Sequence, residues 1–159
     1  MEKKLLILIQ GIVGYEWLKS GFEKVFIEKM SGEELVKTLG AFASKNPIEF
    51  YKNFLNSFAT SNASIFAFLV SWGELLSGLV LLISAVLIWL GKEIRFTKEL
   101  SILALAVGAF MNLNFWLAAK WMNPAVDSAN FIMFVIQIVL LVAWIKVFLP
   151  VRSAEKATA

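Results

Sequence analysis

The sequence predicts an all-α integral membrane protein, a four-helix bundle with short amphipathic helices in the first extracytoplasmic connection. Of its 159 residues, 59% are hydrophobic and the mean hydropathy is +0.75, which is more apolar than an ordinary soluble domain. Four stretches of the chain are also long and apolar enough to cross a bilayer, which takes about 20 residues of helix. Together these observations indicate one membrane domain over residues 1–152, followed by a short flexible tail at 153–159.

The composition excludes several kinds of chemistry. The sequence contains no cysteine and no histidine, which removes disulfides, Cys/His zinc sites, Fe–S clusters, histidine-ligated haem and a histidine general base. The chain therefore implies no metal, haem or flavin of its own. Its net charge of +3 is spread over the loops, and no basic cluster with interleaved aromatic residues indicates a nucleic-acid partner.

The first predicted span, Leu5–Phe26, is read as a retained anchor because no small-residue cleavage site follows its apolar start. This span carries charges in its second half. At helical spacing Ile12, Glu16, Lys19 and Glu23 lie on one face. Because ionisable residues are costly in a membrane, we expect this face to meet other helices.

The connection that follows, residues 27–64, contains two helix starts. The first, Ser31-Gly-Glu-Glu34, matches a capping box. The second, Asn46-Pro47-Ile48-Glu49, has a cap, a first-turn proline and an N-terminal carboxylate in order. Apolar residues recur on one face after each start, so we expect amphipathic helices on the membrane surface or over the end of the bundle. These apolar residues are Leu35, Val36, Leu39, Phe42, Phe50, Phe54, Leu55 and Phe58.

The remaining predicted spans are Ile65–Leu90, Leu100–Met122 and Ala129–Leu149. Trp89 and Trp144 lie near span ends, where indole rings favour the membrane interface. The basic residues of the short loops and termini fall on one side, which the positive-inside rule makes cytoplasmic, so both termini are expected there. These residues are Lys3, Lys4, Lys92, Arg95, Lys98, Arg152 and Lys156.

Polar residues inside the four spans fall at a similar depth. With a rise of about 1.5 Å per residue, Glu74, Gln137, the pair Asn112 and Asn114, and the pair Glu16 and Lys19 all lie in the outer half of their spans. On the second span, Glu74 shares a face with the small residues Ser77 and Gly78, which allow close helix packing.

Two interpretations of this layer remain open. In the first, it is a structural network of ion pairs and amides that fixes the register of the helices. In the second, it binds a polar headgroup or an anion, with Lys19, Lys24 and Lys120 supplying positive charge. Asn112 and Asn114 would then supply hydrogen bonds, and Trp116 or Trp121 a flat stacking surface. Asn123-Pro124 is expected to end the third helix, because proline disfavours helix in the residue before it.

Three motifs resemble a known family of membrane proteins. The pattern Gly14…Gly21-Phe-Glu-Lys24 and the run Glu74-Leu-Leu-Ser-Gly78-Leu-Val-Leu are similar to the first and second spans of DoxX-like proteins. The segment Asn112-Leu-Asn-Phe115-Trp-Leu-Ala118, followed by Asn123-Pro124, more specifically resembles DoxD, the membrane subunit of thiosulfate:quinone oxidoreductase.

The resemblance implies oxidation of thiosulfate to tetrathionate, with electrons passed to a membrane quinone in the plasma membrane of a prokaryote. It also implies a DoxA-like partner subunit or a homo-oligomer. On this hypothesis Glu16 and Glu74 are the catalytic candidates, and Glu74 or Glu16 handles the protons consumed at the quinone. The residues expected to bind quinone or anion are Lys19, Lys24, Asn112, Asn114, Trp116, Lys120 and Asn123, with Lys24, Lys120 and Asn123 at the anion end.

Two alternatives to an enzyme are also open. A non-catalytic subunit could anchor or assemble a respiratory complex, with the connection as its partner surface and the charged layer as a structural feature. A small-molecule transporter is a weaker alternative, because four spans are few unless the chain dimerises.

Overall fold

A computed structural model describes the backbone of residues 2–148 and the side chains of residues 3–146. This part of the chain is helical and contains no strand. The predicted tail at 153–159, together with Arg152 and Lys156, lies outside the described residues. The helices are α1 (Glu2–Phe22), continued by a π-helical segment (Glu23–Ile27), α2 (Gly32–Lys45), α3 (Glu49–Phe54), continued by a second π-helical segment (Leu55–Ala59), α4 (Ala63–Trp89), α5 (Thr97–Ala119) and α6 (Pro124–Phe148).

Among the described residues, three helices are long and apolar enough to cross a membrane: Ala63–Trp89, Thr97–Ala119 and Pro124–Lys146. The predictions of an all-helical fold and of membrane-spanning character are confirmed to this extent. Helix α1 is not one of the three, and it carries the charged residues Glu16 and Lys19 within its length. The fourth span therefore stays a prediction.

Helices α1 and α4 pack against each other in antiparallel order through glycine. A β-carbon on Gly78 would overlap the backbone of Leu18, and one on Gly21 would overlap the backbone of Leu75. A β-carbon on Gly14 would lie 2.8 Å from the backbone nitrogen of Leu82. Small residues let two helix backbones approach this closely, so the glycines fix the register of α1 against α4.

The apolar core lies between α1, α4, α5 and α6. Its wholly buried side chains include Leu81, Leu105 and Trp144, each 0% exposed. The prediction that Trp144 marks the membrane interface is therefore wrong, because its indole ring packs inside the bundle. Trp89 is 54% exposed at the end of α4. The Lys4 Nζ atom lies 5.5 Å from the Trp89 ring centroid, which places the start of α1 beside the end of α4.

The capping box at the start of α2 is confirmed. The Ser31 Oγ atom accepts a hydrogen bond from the Glu34 backbone N–H at 3.3 Å, and the Ser31 N–H donates to Glu34 Oε2 at 3.0 Å. Leu35 and Leu39 follow on the buried face of α2, so the capped amphipathic helix forms where the sequence predicts it.

The second helix of the connection begins at Glu49, two residues later than the Asn46 cap predicts. The Asn46 side chain is 4% exposed and connects two parts of the chain instead. Its Nδ2 donates to the Leu117 carbonyl at 2.9 Å, and its Oδ1 accepts from the Ile48 N–H at 3.0 Å. Asn46 thereby attaches the connection to the end of α5.

The apolar face predicted for α3 is divided in the structure. Leu55 is buried at 2% exposure, whereas Phe50 and Phe58 are 82% and 58% exposed. The contact between α3 and α5 is made by Tyr51, whose hydroxyl donates to the Asn114 carbonyl at 3.1 Å. The connection thus covers the end of the bundle and still presents aromatic side chains outward.

The predicted end of the third span also needs correction. Helix α5 ends at Ala119, and Asn123 caps the start of α6 rather than ending α5. The Asn123 Oδ1 accepts from the Val126 N–H at 3.0 Å. Pro124 then occupies the first helical position, where its missing N–H costs nothing. As a result α6 begins five residues before the predicted Ala129.

We expect Gly78→Ala to destabilise the fold by about 1–3 kcal/mol, because the added methyl group would push α1 away from α4. Gly40→Ala is the control: a β-carbon on Gly40 meets nothing within 4 Å, so this change should stabilise α2 by up to about 1 kcal/mol. Titration of both variants with sodium dodecyl sulfate, followed by circular dichroism, measures the difference. Equal stability of Gly78→Ala and wild type would contradict this packing.

We expect the protein to lose stability at alkaline pH because of the partly buried Tyr51 side chain. Burial raises the pKa of Tyr51 to about 12 from its ordinary value of 10.0. Below pH 10 the phenol is neutral in the folded and the unfolded chain, and it contributes fully to the free energy of unfolding. Between pH 10 and pH 12 the unfolded chain loses this proton before the folded chain does, so the free energy of unfolding falls as pH rises. Tyr51→Phe should reduce that fall and cost about 1 kcal/mol at neutral pH. Denaturation curves of wild type and Tyr51→Phe from pH 8 to pH 12 measure this difference. An equal fall in the free energy of unfolding of both proteins would contradict the role of Tyr51.

Candidate functional site

A buried ion pair joins the end of α1 to the middle of α4. The Lys24 Nζ lies 2.6 Å from Glu74 Oε2 and donates a second hydrogen bond to Ser20 Oγ at 2.7 Å. The Glu74 side chain is 1% exposed and that of Lys24 is 24% exposed. A buried carboxylate is costly unless it is paired, so Lys24 is what makes this position of Glu74 possible. Lys24 lies in the π-helical segment Glu23–Ile27, a type of helix that is frequent at functional sites.

A cavity of about 290 Å³ lies beside this pair, between the end of α1, the start of α2 and the first half of α4. Its volume is close to the lower end of the range typical of small-molecule sites. Two lysines and two serines line it, and side chains of these types favour a small anion or a polar headgroup. Its lining residues include Lys24, Lys29, Gly32, Ser64, Ser71 and Trp72.

Deeper in the bundle, α1, α5 and α6 meet at a glycine. A β-carbon on Gly108 would lie 3.0 Å from Trp17 Nε1 and 3.1 Å from Gln137 Nε2. Asn112 follows Gly108 by one helical turn on the same face of α5. Trp17, Asn112 and Gln137 are 5%, 4% and 0% exposed.

These three side chains have buried polar atoms without a hydrogen-bond partner among the described residues. The atoms are Trp17 Nε1, Asn112 Nδ2, and both Gln137 Nε2 and Gln137 Oε1. Each such atom costs about 1–3 kcal/mol when it is left unpaired. Buried polar groups in folded proteins are nearly always satisfied, so this region calls for bound water or a ligand that accepts hydrogen bonds from the three donors, with a donor for Gln137 Oε1.

The ion pair and these unpartnered groups occupy neighbouring turns of the bundle. A β-carbon on Gly73 would lie 3.1 Å from Met111 Sδ, which sets Glu74 and Asn112 at the same level of α4 and α5. We call Trp17, Glu74, Asn112 and Gln137 the polar layer, since each is buried and each comes from a different long helix. The sequence placed Glu74, Asn112 and Gln137 at one depth. It missed Trp17, although the two-turn spacing between Trp17 and Lys24 is a signal that they share a face.

The structure does not bring Glu16 and Lys19 into this layer. Both are exposed on the outer face of α1, together with Ile12 at 57% exposure. The expectation that this face meets other helices is wrong, because it is the neighbouring Trp17 that points inward. Glu16 is therefore exposed on the outside of α1, whereas Glu74 of α4 is buried inside the bundle.

The remaining predicted residues make contacts around the turn between α5 and α6. Asn114 Nδ2 donates to the Phe110 carbonyl at 2.8 Å, and Trp116 Nε1 donates to Asp127 Oδ1 at 2.7 Å. Lys120 Nζ lies 4.3 Å from the Trp116 ring centroid and 4.5 Å from that of Trp121.

The predicted anion end is not assembled by these contacts. Asn123 caps α6, Lys120 stacks on indole rings, and Lys24 pairs with Glu74. In the described part of the chain, the cation that accompanies Lys24 at the cavity is Lys29. The sequence offered no signal for Lys29 beyond its charge.

Fold and site together define an all-helical protein with membrane-spanning helices and a buried polar layer. No family model, curated protein or solved structure matches the chain. The resemblance to DoxX-like proteins therefore stays a prediction.

We expect Lys24→Met to destabilise the protein by about 3 kcal/mol, because it leaves the Glu74 carboxylate buried without its cation. The control is Lys98→Met, which removes an exposed pair of 3.1 Å between Lys98 and Glu93 and should cost less than about 1 kcal/mol. The double change Lys24→Met with Glu74→Leu should recover most of the loss. Unfolding free energies of the four proteins test this, and equal costs for the two single changes would show that the buried pair has no special role.

Proposed function

We propose that this chain is the membrane subunit of a quinone-linked oxidoreductase and that the polar layer binds the quinone headgroup. The observation that carries the proposal is the set of three buried N–H donors without an acceptor, on Trp17, Asn112 and Gln137. An oxidised quinone ring carries two carbonyl acceptors and no donor, and its apolar tail brings it to the protein through the lipid. Its two carbonyl oxygens are therefore complementary to the unpaired N–H donors of the layer, and a hydroxyl group of the quinol formed by reduction can donate to the unpaired Gln137 Oε1.

Reduction of a quinone to a quinol takes two electrons and two protons. Glu74 is the buried carboxyl group of the layer, and its partner Lys24 also lines the cavity. We assign to this pair the transfer of protons from the cavity to the quinone oxygens, in which a carboxyl group acts as general acid. The sequence assigned this role to Glu16 as well, but Glu16 is exposed on the outer face of α1.

The electrons come from a small anion in the same proposal. Two thiosulfate ions joined through a new sulfur–sulfur bond give one tetrathionate and release the two electrons that the quinone takes up. The cavity supports this assignment, because Lys29 lines it together with Ser64 and with Lys24, whose charge is shared with Glu74. Thiosulfate itself is proposed from the DoxD resemblance.

We propose further that α1 is a fourth span, with both termini on the cytoplasmic side of a prokaryotic plasma membrane. The close packing of α1 along α4 supports this, as do the outward-facing apolar side chains of Leu8 and Ile12, 55% and 57% exposed. Lys4 and the loop that follows α4 lie at one end of the bundle. A basic end of this kind is expected on the cytoplasmic side.

A specific observation also favours a second function, that of a non-catalytic subunit for anchoring or assembly. In and beside α3, three apolar side chains point outward: Phe50, Phe58 and Ile48 at 82%, 58% and 39% exposure. Exposed apolar side chains grouped in this way mark surfaces for a partner or a membrane. A DoxA-like partner subunit or a second copy of the chain would bind there.

The first test measures bound quinone. We expect protein purified in mild detergent to retain about one quinone per chain, detected by solvent extraction and mass spectrometry. Gln137→Leu and Asn112→Leu should each lower this occupancy about tenfold, the effect of losing one hydrogen bond of about 1.4 kcal/mol. Gln10→Leu is the matched control: Gln10 is an equally buried glutamine whose Nε2 already donates to Leu81 O and Ser84 Oγ.

Turnover completes this test. The purified chain is given thiosulfate and a soluble quinone analogue, alone and with membrane extract. Glu74→Gln should retain bound quinone and lose turnover, whereas Glu28→Gln, which alters an exposed carboxylate, should behave as wild type. The same assay on Glu16→Gln tests the sequence prediction. Turnover that needs extract indicates a required partner. If the protein retains no quinone and shows no turnover in either condition, the assembly function is favoured.

A further inference from the structure

An apolar groove of about 370 Å³ runs between α1 and α4 on the outside of the bundle. It shares no residue with the polar layer or with the cavity beside Lys24. Its walls carry apolar side chains that no described residue covers: Leu8, Ile12, Val86 and Trp89 are 55%, 57%, 51% and 54% exposed. We infer that this groove holds an acyl chain of an anionic phospholipid whose phosphate binds Lys4.

The shape of the groove fits an extended hydrocarbon chain. It follows α1 from Ile7 to Tyr15, a length of about 12 Å along the helix axis. Gly11 forms its floor, where a β-carbon would meet nothing closer than Ala85 Cβ at 3.9 Å. The helix that forms its other wall, α4, is long and apolar enough to cross a membrane. The groove therefore faces lipid, and an acyl chain can lie along it without leaving the bilayer.

The charge at one end of the groove selects the headgroup. Trp89 lines the groove, and Lys4 Nζ lies 5.5 Å from the Trp89 ring centroid. Among the described side chains no carboxylate forms an ion pair with Lys4. Lys92 and Arg95 follow in the loop after α4, but Lys4 is the cation placed against a lining residue of the groove, whereas Arg95 stacks on Phe96. Basic residues next to a span attract anionic lipids by about 1 kcal/mol each, so the phosphate of such a lipid is the expected counterion.

Native mass spectrometry of the full chain tests this inference directly. The protein in detergent is mixed with equal amounts of phosphatidylglycerol and phosphatidylcholine that carry the same acyl chains. We expect one retained phosphatidylglycerol per chain and about fivefold less phosphatidylcholine, the preference that one lysine contributes. Lys4→Gln should abolish the preference, and Gly11→Leu should abolish retention of both lipids, because its side chain fills the groove.

Matched controls separate this site from general lipid binding. Lys92→Gln removes a positive charge at the same end of the bundle, and Ala106→Leu places the same leucine side chain on an exposed position of α5. Both variants should retain phosphatidylglycerol as wild type does. Circular dichroism establishes that each variant is folded. Three results would overturn the inference: equal retention of the two lipids by wild type, undiminished retention by Gly11→Leu, or a dimer that Gly11→Leu dissociates. The dimer would make the groove an interface between two copies of the chain.

Discussion

The close approach of α1 and α4 is the constraint on which the rest of the structure depends. Gly21 and Gly78 have no side chains, so each helix backbone contacts the other directly. This register turns Trp17 into the bundle and brings Lys24 within 2.6 Å of Glu74. In a looser pair of helices, Glu74 would be a buried carboxylate without a cation. The same contacts hold α1, with its exposed charges, against an apolar span.

The donor atoms of two buried glutamines differ in a way that supports the proposed ligand at the polar layer. Gln10 and Gln137 are both 0% exposed. Gln10 Nε2 donates to Leu81 O at 3.0 Å and to Ser84 Oγ at 2.8 Å, and thereby joins α1 to α4, while Gln10 Oε1 has no partner among the described residues. Gln137 has no partner for either amide atom among the described residues. The two side chains therefore differ at Nε2, and a glutamine that served only to fix register would have a partner for this donor, as Gln10 has.

The sequence predicts the parts of this molecule that depend on local chemistry. The capping box at Ser31, the apolar length of α4 and the buried face around Glu74 all follow from spacing along one helix. The orientation of α1 does not, because apolar residues occur all around it and give no preferred face. The pairing of Lys24 with Glu74 joins residues 50 positions apart and depends on helix packing. The prediction that Trp144 lies at the membrane interface was wrong because an indole ring near a helix end suits an interface as well as a core.

The exposed fraction of the side chains decreases from the cavity to the polar layer of the candidate site. Lys24 is 24% exposed and lines the cavity, whereas Glu74, its partner, is 1% exposed. Gln137, at 0% exposure, lies deeper still beside Trp17 at Gly108. Polar groups thus continue from a solvent-facing cation, through a buried carboxyl group, to unpaired amide and indole nitrogens. The proposed function uses this order: protons taken up on the cavity side would pass by way of the ion pair, and a lipid-borne acceptor would bind at the unsatisfied donors.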